Sequence, residues 1–523
     1  MAKRLASAHQ VVSVEGWLKR RGFEANPFAD TEADREQQLP AYFVETPYYD
    51  DILGDPRKPR SMVIYASRGC GKSAHRVMVS AACRPKTARS LVLGVEYTTF
   101  EPFSDGLRVG HKANALQDHI TAILDQTVET FLLALFSEAS LCVRLPAENV
   151  DDLRAYWQEY GSTYGNPAAY FRFLRHMNSR GATTPIDWPA FRSTWEDGNL
   201  SLWLREGPNA DHPEVALLAD LVETPTRQVM LDRLSPNALF SGLVSLVRST
   251  DIEAVYILID RVDESHALVA KPEAITDVLV PLIGELPLME TPGAAFKLFL
   301  PTEVAEKLVL RPEVRSDRIS FRELRWDEQT LRELLGARLS AFSNGEITSF
   351  GQLCEPDLAT EIDQALVRQA MGVPRNLLRL AEELIIVHCQ RDGEALSLTR
   401  KDWHAAREHY FGAVGTTGFK ASIHPPLRLD VKARAVAIGS RTISLTDANF
   451  KLLHFLAQRS NVTVEGYDLW QAGWSDASLR TAVKRIRQAI EPDSKNPVYL
   501  ITVRGEGLRL ENVLPSAEQE VSQ

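Results

Sequence analysis

The chain has 523 residues, of which 44% are hydrophobic and 24% charged, and its formal net charge at pH 7 is −10. Such a chain folds into roughly two to four globular domains, which excludes a wholly disordered protein. The five cysteines are scattered and form no CxxC pair, which argues against a disulfide framework or a structural zinc site. The sequence starts without a signal-peptide pattern and has no run of about 18 apolar residues, so we expect a cytoplasmic protein with no membrane partner.

Charge is distributed unevenly along the chain. From Lys420 to Glu511, 14 Lys and Arg residues oppose 9 Asp and Glu residues, a local net charge of +5, whereas the remainder carries −15. A basic module at the end of an acidic body predicts that this end contacts nucleic acid. The alternative is a chance clustering of surface charge.

The first predicted elements surround a glycine-containing loop. Residues 1–60 are polar and rich in turns, an apolar run at Met62–Tyr65 predicts a strand, and a helix is expected from Lys72. Residues 66–73 between them read Ala-Ser-Arg-Gly-Cys-Gly-Lys-Ser, the pattern of a phosphate-binding P-loop with alanine in place of its first glycine. We expect residues 1–60 to pack on this site.

The residue types in the loop have a chemical reason. Backbone N–H groups at a helix start bind phosphates, and glycine lets the backbone approach them without a Cβ clash. Lys72 would neutralise the β and γ phosphates, and the Ser73 hydroxyl would bind Mg²⁺. The predicted ATP site comprises Arg68, Gly69, Cys70, Gly71, Lys72, Ser73 and Ala74.

A second acidic motif completes this prediction. Residues 90–95 resemble a strand, residues 112–245 are mainly helical in pattern, and the apolar run Ala254–Ile259 leads directly into Asp260. A carboxylate at the end of a buried strand can hold Mg²⁺, so we assign Asp260 to the metal. Asp263 or Glu264 would activate water; the alternative is that both cap a following helix.

Two later motifs suggest a family. Residues 296–300 predict a further strand that ends at Pro301 and Thr302, and Gly372-Val373-Pro374-Arg375 begins a helix. With the P-loop, these residues resemble the AAA+ and STAND classes of P-loop ATPases, most closely those of origin-recognition type, over roughly residues 25–410. The resemblance implies a polar sensor at Thr302 and a lid whose Arg375 reaches the γ phosphate.

The same resemblance implies assembly. Arg315 and Arg318 fall where such proteins often carry an arginine finger for a neighbouring subunit, although a surface ion pair explains them equally well. The implied activity is ATP hydrolysis, with a homo-oligomer or a partner protein bound in the ATP state.

The predicted architecture is α/β: a P-loop NTPase with a parallel sheet, a large helical insertion and a helical lid, followed by an α+β winged helix. Ser73 and Asp260 lie 187 positions apart, far more than in the resembling families, so the helices inserted at about 105–245 either sense a ligand or enlarge the core. We expect these boundaries: NTPase core 61–310, lid 311–411, linker 412–426, winged helix 427–512 and a flexible tail 513–523. Glycines and the Pro425-Pro426 pair suggest the linker.

The C-terminal module shows short strands, three helices and a hairpin. Strands are predicted at Leu427–Val431, Ala435–Ile438 and Thr442–Leu445, and a helix capped by Thr446 follows. A short second helix contains Leu469, and the third, here called the basic helix, is expected from Asp476 to Ile490. The final hairpin has a glycine-rich turn around Arg504.

The basic helix predicts a DNA contact. Its apolar stripe contains Leu479, Val483, Ile486 and Ile490, and its other faces carry hydrogen-bond donors suited to the major groove and phosphates. The module resembles the OmpR/PhoB-type winged helix, which implies that this helix enters the major groove and that the hairpin touches the backbone or minor groove. The predicted contacts to double-stranded DNA are Arg480, Thr481, Lys484, Arg485, Arg487 and Arg504.

These observations support three hypotheses. The first is an ATP-dependent switch that couples nucleotide binding to DNA binding, in transcriptional control or in defence against mobile DNA. The second is a DNA-processing ATPase, such as a loader or a transposition helper, that assembles on DNA. The third is a signalling scaffold whose winged helix binds protein.

Overall fold

The fold is taken from a computed structural model of the chain. It describes residues 12–83, 91–100, 115–178, 188–417 (apart from 208, 224–226, 228, 266, 267 and 270), 427–431, 433–438, 441–458, 464, 465, 469, 472–491, 497, 499–503, 507–510, 513 and 514. These residues fall into two compact units. The first extends to Glu382 and includes Gly393–Ser397, and the second comprises Glu383–Asp392 and the chain from Leu398 onward.

A five-stranded parallel sheet organises the first unit. Its strands lie in the order β2-β3-β4-β1-β5, and all four neighbouring pairs are parallel. The strands are β1 (Met62–Ala66), β2 (Leu91–Tyr97), β3 (Ile252–Ile259), β4 (Ala294–Pro301) and β5 (Ser320–Glu323). Residues of β3 and β4 are almost all buried, which explains their continuous apolar runs. The predicted α/β class with a parallel sheet is confirmed.

The strand order places three loops at one edge of the sheet. The carboxyl ends of parallel strands share an edge, so the loop after β1, Asp260 after β3 and Thr302 after β4 lie on the same side. Since β4 lies between β1 and β3, Thr302 follows the strand that separates the P-loop from Asp260.

Helices cover the sheet and fill the region between β2 and β3. The helices of the inserted region share one apolar core with the sheet, which includes Phe131, Trp157 and Phe240 beside Ile257 and Phe296. The α-helices up to β3 are Val14–Arg20, Leu39–Tyr42, Tyr49–Leu53, Lys72–Ala82, Ala115–Ser137, Ala139–Arg144, Val150–Tyr160, Pro167–Asn178, Trp188–Glu196, Leu200–Glu206, Pro213–Val222 and Pro236–Arg248. Those of the first unit after β3 are Pro272–Ile283, Leu286–Met289, Thr302–Val309, Glu328–Phe342, Pro356–Ala359 and Ile362–Ala370. The helix Pro374–Asp392 contributes to both units, and the helix Arg400–Thr417 belongs to the second.

One helix has the length and composition of a membrane span. Among the described residues, Leu116–Ser137 passes this test, with half of its most apolar window buried. Its apolar side chains, such as Ile123, Leu124 and Phe131, are fully buried in the core of the first unit. The helix is therefore accounted for as a core helix by its packing.

The N-terminal segment, described from residue 12 to residue 60, packs on two parts of the first unit. Tyr49 and Ile52 belong to the apolar cluster that contains Cys70 of the P-loop. Arg338, in the helix Glu328–Phe342, donates to the Asp30 carbonyl and to Glu36 Oε2, both at 2.7 Å. The segment is thus fixed to the sheet and to the later helices.

The second unit contains the C-terminal module. A four-stranded sheet, β12-β6-β7-β8, is formed by β6 (Leu427–Asp430), β7 (Ala435–Ile438), β8 (Arg441–Ser444) and β12 (Val513–Leu514), with only β12 parallel to its neighbour. The hairpin β10 (Leu500–Val503) and β11 (Gly507–Leu510) pairs with β9 (Val464–Glu465). Helices Asp447–Ala457 and Asp476–Ile490 enclose a separate apolar core.

Several predicted boundaries differ from the structure. Strand β5 lies at 320–323, inside the predicted lid of 311–411, because its pairing with β1 extends the sheet beyond 310. The helix Arg400–Thr417 continues through Gly412 and Gly415, so the predicted linker cannot begin at 412. Residues 513 and 514 pair with β6 and belong to the C-terminal sheet rather than to a flexible tail. The predicted linker residues 418–426 lie outside the described residues.

Candidate functional site

Two glycines of the P-loop have a backbone conformation that glycine favours. Gly69 and Gly71 both have positive φ, +85° and +84°, which L-residues other than glycine rarely adopt. The P-loop helix, Lys72–Ala82, has Gly71 as its N-cap residue, which has no side chain to cap it. The first N–H groups of a helix have no partner within it, so those of Lys72, Ser73 and Ala74 are available to an anion.

The lysine lies over its own loop. Lys72 Nζ donates to the Ala66 carbonyl at 2.9 Å and to the Ser67 carbonyl at 3.2 Å. Burial lowers the pKa of Lys72, while the carboxylates of Asp263 and Asp260 act in the opposite direction. The ammonium group is therefore held at the carboxyl end of β1, against the first residue of the loop.

Asp260 and Ser73 are joined directly. Asp260 is 3% exposed, and burial raises its pKa against the opposing hydrogen bond from Ser73 and the charge of Arg76. A hydroxyl and a carboxylate are oxygen ligands that Mg²⁺ accepts, so this pair fits the predicted metal. Within the described ranges, no group of three or more His, Cys, Asp or Glu residues could hold a metal ion. Mg²⁺ at this pair would therefore need phosphate and water oxygens to complete its shell.

Asp263 and Glu264 differ in how closely an arginine holds each carboxylate. Both lie in the short 3-10 helix Val262–Glu264, and the next α-helix starts only at Pro272, so the alternative that they cap it is wrong. Asp263 Oδ2 accepts from Arg68 at 3.1 and 2.8 Å. Glu264 lies 3.7 Å from Arg261, and burial raises its pKa. Of the two, Glu264 is the less constrained candidate for orienting water.

The helix that starts with Pro374 meets the P-loop. The Arg375 backbone N–H donates to the Gly69 carbonyl at 3.2 Å. A Cβ on Gly69 would lie 2.9 Å from Arg375 Cβ, so this close approach requires glycine. Burial lowers the pKa of Arg375, and the neighbouring charges of Arg379 and Arg68 lower it further. The carboxylates of Glu32 and Glu264 raise this pKa, so charges of both signs surround Arg375 beside the loop.

Two residues of the site were missed by the sequence analysis. Trp326 Nε1 donates to the Cys70 carbonyl at 2.9 Å and its ring faces Gly71. Arg76 is 1% exposed and contacts Asp260. Arg76 could have been suspected, since it follows Lys72 by four positions and thus lies near it on the helix. Trp326 had no local signal.

The sensor candidate Thr302 and the arginine-finger candidates Arg315 and Arg318 lie between β4 and β5. Thr302 is the first residue of the helix Thr302–Val309. Arg315 forms an ion pair with Asp317 at 2.7 Å, and Arg318 forms one with Glu290 at 2.7 Å. Both arginines are about half exposed, so the finger role stays a prediction beside the ion-pair alternative.

The basic helix has the predicted bounds, Asp476–Ile490. The side chains of Ile486 and Ile490 are buried, together with Ala482, whereas Leu479 and Val483 are only partly buried. Four of the predicted DNA contacts are exposed on the helix: Arg480, Thr481, Lys484 and Arg485. In the part of the chain that the structure describes, no ion pair engages Arg480, Lys484 or Arg485. Arg504 lies outside the described residues.

Arg487, the fifth predicted DNA contact on the basic helix, is hydrogen-bonded to the hairpin. Its Nε donates to the Leu500 carbonyl at 2.9 Å and its Nη2 to Thr502 Oγ1 at 2.8 Å. One turn later, Glu491 accepts the backbone N–H groups of Tyr499 and Leu500. Arg487 and Glu491 thus fasten β10 to the basic helix. These hydrogen bonds hold the partly exposed Arg487 against the hairpin, and its contact with a DNA groove stays a prediction.

Comparison with known proteins identifies the C-terminal segment. Residues 440–510 match the family described as "Transcriptional regulatory protein, C terminal". The sensory transduction protein RegX3 of Mycobacterium tuberculosis (strain ATCC 25618 / H37Rv) is 37% identical over 92 residues, which is 16% of this chain and 40% of that protein. The DNA-binding dual master transcriptional regulator RpaA of Synechocystis is 32% identical over 77 residues, 14% of this chain and 32% of that protein. The chain therefore spans less than half the length of these relatives.

A structural comparison extends over most of the chain. The Aeropyrum pernix ORC1 protein in complex with DNA aligns with 93% of this chain and 94% of that one, at a TM-score of 0.32 and 11% identity. Similarity at this level does not assign the fold. The origin-recognition resemblance consequently rests on the motifs alone.

Proposed function

We propose that this chain is an ATP-dependent switch that binds double-stranded DNA through its C-terminal winged helix and acts in transcriptional control. The observation that carries the proposal is that a single chain contains both a P-loop geometry and a segment matching the C-terminal family of transcriptional regulatory proteins. Neither element alone implies a switch. Together they supply a nucleotide-dependent input and a DNA-binding output.

The proposed input is Mg²⁺–ATP. Backbone N–H groups from Gly69 to Ala74 and the Lys72 ammonium group would bind the phosphates, and Ser73 with Asp260 would hold the metal. Bound Mg²⁺ neutralises phosphate charge. Glu264 would orient the attacking water as a hydrogen-bond acceptor, because Asp263 is already paired with Arg68.

The proposed transmission element is the helix Pro374–Asp392. Its first turn touches the P-loop through the Arg375 N–H, and its residues from Glu383 onward belong to the second compact unit. A continuous helix that contributes to both units can carry a change at the nucleotide to the C-terminal module. ATP-dependent contact with a second copy or a partner protein is part of this proposal, with Arg315 and Arg318 as candidate contacts.

The proposed output is recognition of a DNA groove. Arg480, Lys484 and Arg485 are exposed donors on one helix, so they can reach phosphates or base edges. Contacts to phosphates would give affinity that falls steeply with salt, and contacts to base edges would give sequence discrimination.

The test combines nucleotide and DNA binding in the full chain. DNA ligands are selected from a random duplex pool, and their affinity is then measured with ATP, with ADP and without nucleotide. We expect sequence-specific, saturable binding whose affinity differs between the ATP and ADP states. Lys72→Ala should abolish this difference, and the exposed Lys58→Ala should retain it.

Other outcomes would contradict the proposal. Cooperative binding that ignores sequence would favour a DNA-processing ATPase. The absence of DNA affinity even at low salt would favour a protein-docking module. An affinity that does not depend on nucleotide would disprove the switch.

A further inference from the structure

Arg76 connects the predicted metal ligand to the N-terminal segment. It lies in the P-loop helix with a side chain that is 1% exposed. Its Nε lies 3.2 Å from Asp260 Oδ2, its Nη1 lies 2.7 Å from Glu96 Oε2, and its Nη2 contacts Asp34 Oδ1. One guanidinium group therefore bridges three carboxylates from three separate parts of the chain.

Three carboxylates surround the buried charge of Arg76. A buried arginine is costly unless carboxylates compensate it, and Asp34, Glu96 and Asp260 do so here. Asp34 also contacts Arg261, which lies 3.7 Å from Glu264. Asp34 is thus shared between an arginine of the P-loop helix and the arginine that directly follows Asp260.

Arg76 and Mg²⁺ need the same carboxylate. Asp260 accepts from Arg76 and from Ser73, and Ser73 is the other predicted metal ligand. A cation beside Asp260 weakens the attraction of that carboxylate for Mg²⁺. A carboxylate that neutralises the neighbouring arginines reverses part of this effect, and Asp34 contacts both of them.

We propose that Arg76 is a positioning residue for Asp260 and that Asp34 sets the Mg²⁺ affinity of the nucleotide site by balancing Arg76 and Arg261. This inference rests on the proposed nucleotide binding and adds its regulation. Asp34 belongs to the N-terminal segment and is partly exposed. Any event that moves this segment away from Arg76 would raise the Mg²⁺ concentration that the site needs.

The test measures Mg²⁺ dependence rather than hydrolysis. The full chain is titrated with Mg²⁺ in the presence of a fluorescent ATP analogue, and binding is followed by fluorescence anisotropy. A second series in EDTA measures binding without the metal. For Asp34→Asn we expect the Mg²⁺ midpoint to rise on the order of tenfold, because the variant removes one negative charge from beside Arg76 and Arg261 and so makes the surroundings of Asp260 more positive. Affinity in EDTA should be unchanged or slightly tighter.

Two further variants serve as controls. Asp55→Asn removes the same charge from an exposed position of the same segment, where the carboxylate pairs with Arg57. Its midpoint should match that of the unmodified chain. Asp34→Glu keeps the charge, so its Mg²⁺ midpoint should lie within about threefold of that of the unmodified chain. If Asp34 acted only by supporting the fold, keeping its charge would not preserve the midpoint.

The outcomes separate two failures. If the unmodified chain binds the analogue with a Mg²⁺ dependence that Asp34→Asn leaves unchanged, the role of Asp34 is disproved and the nucleotide site stands. If Asp34→Asn weakens binding equally with and without Mg²⁺, the residue supports the fold and the inference is also overturned. If the unmodified chain binds no nucleotide, the proposed function fails and this inference fails with it.

Discussion

Removing Arg487 should affect the hairpin, whereas removing Arg480 and Lys484 should affect DNA binding. All three are basic residues of one helix and lie four and three positions apart. Only Arg487 is engaged with β10, through the Leu500 carbonyl and the Thr502 hydroxyl. The comparison therefore tests whether exposure, rather than sequence spacing, decides which side chains contact DNA.

The expected magnitude follows from the two hydrogen bonds of Arg487. Hydrogen bonds from a charged donor contribute about 1.5–3 kcal/mol each. Because Arg487 is partly exposed, we expect each of its two hydrogen bonds to contribute near or below the lower end of this range. We expect Arg487→Ala to lower the free energy of opening of β10 by about 2–3 kcal/mol. Amide hydrogen exchange in residues 499–503 should accelerate by roughly 30- to 150-fold.

The double variant should behave in the opposite way. Each lost phosphate contact reduces the slope of log affinity against log salt by about 0.9, so Arg480→Ala with Lys484→Ala should reduce it by up to about 1.8. Exchange in β10 should not change. Arg428→Ala, at an exposed position of β6, is the matched control for loss of charge and should alter neither quantity.

One combination of results would refute this reasoning. If Arg487→Ala lowered the salt slope by about 1 and left the exchange of β10 unchanged, Arg487 would contact a phosphate. The measurements are duplex titrations of the full chain at several salt concentrations and hydrogen exchange followed by mass spectrometry. Both use the same protein preparations.

Three other predictions concern the first unit. Gly69→Ala should abolish nucleotide binding measured by anisotropy, because Cβ at φ +85° would lie 2.9 Å from Arg375 Cβ; retained affinity would contradict this. Arg375→Ala should bind ATP but lose the protease protection that ATP confers, and unchanged protection would disprove the sensing role. Burial lowers the pKa of His119 to about 4. In the folded chain this imidazole therefore stays neutral down to about pH 4, whereas in the unfolded chain it gains a proton below about pH 6.5. Stability should therefore fall between about pH 6.5 and 4, by on the order of 3 kcal/mol for this group; thermal unfolding of His119→Gln should show a shallower pH dependence, and an equal slope would contradict the assignment.

The sequence alone was sufficient for elements whose signals are local. The basic helix was predicted from Asp476 to Ile490, and the structure has the same bounds, because the apolar period and the Ser475 cap are readable from adjacent residues. Strand β7 was likewise predicted at Ala435–Ile438. The P-loop pattern also predicted the turn between β1 and its helix, since Gly69 and Gly71 stand where the backbone needs positive φ.

Only the tertiary structure decided which distant side chains contact each other and which short segment joins the sheet edge. Strand β5 is four residues long and lies at the sheet edge, where its residues alternate between exposed and partly buried, so its sequence lacks the apolar run that identified β3. Arg76 meets Asp34 and Asp260, residues that are 42 and 184 positions away in the chain. Arg487 has the same charge and a similar helix position to its exposed neighbours, but its partner is β10, a separate segment of the chain. A helix period gives the direction of a side chain, whereas its partner depends on the packing of distant segments, which one sequence does not encode locally.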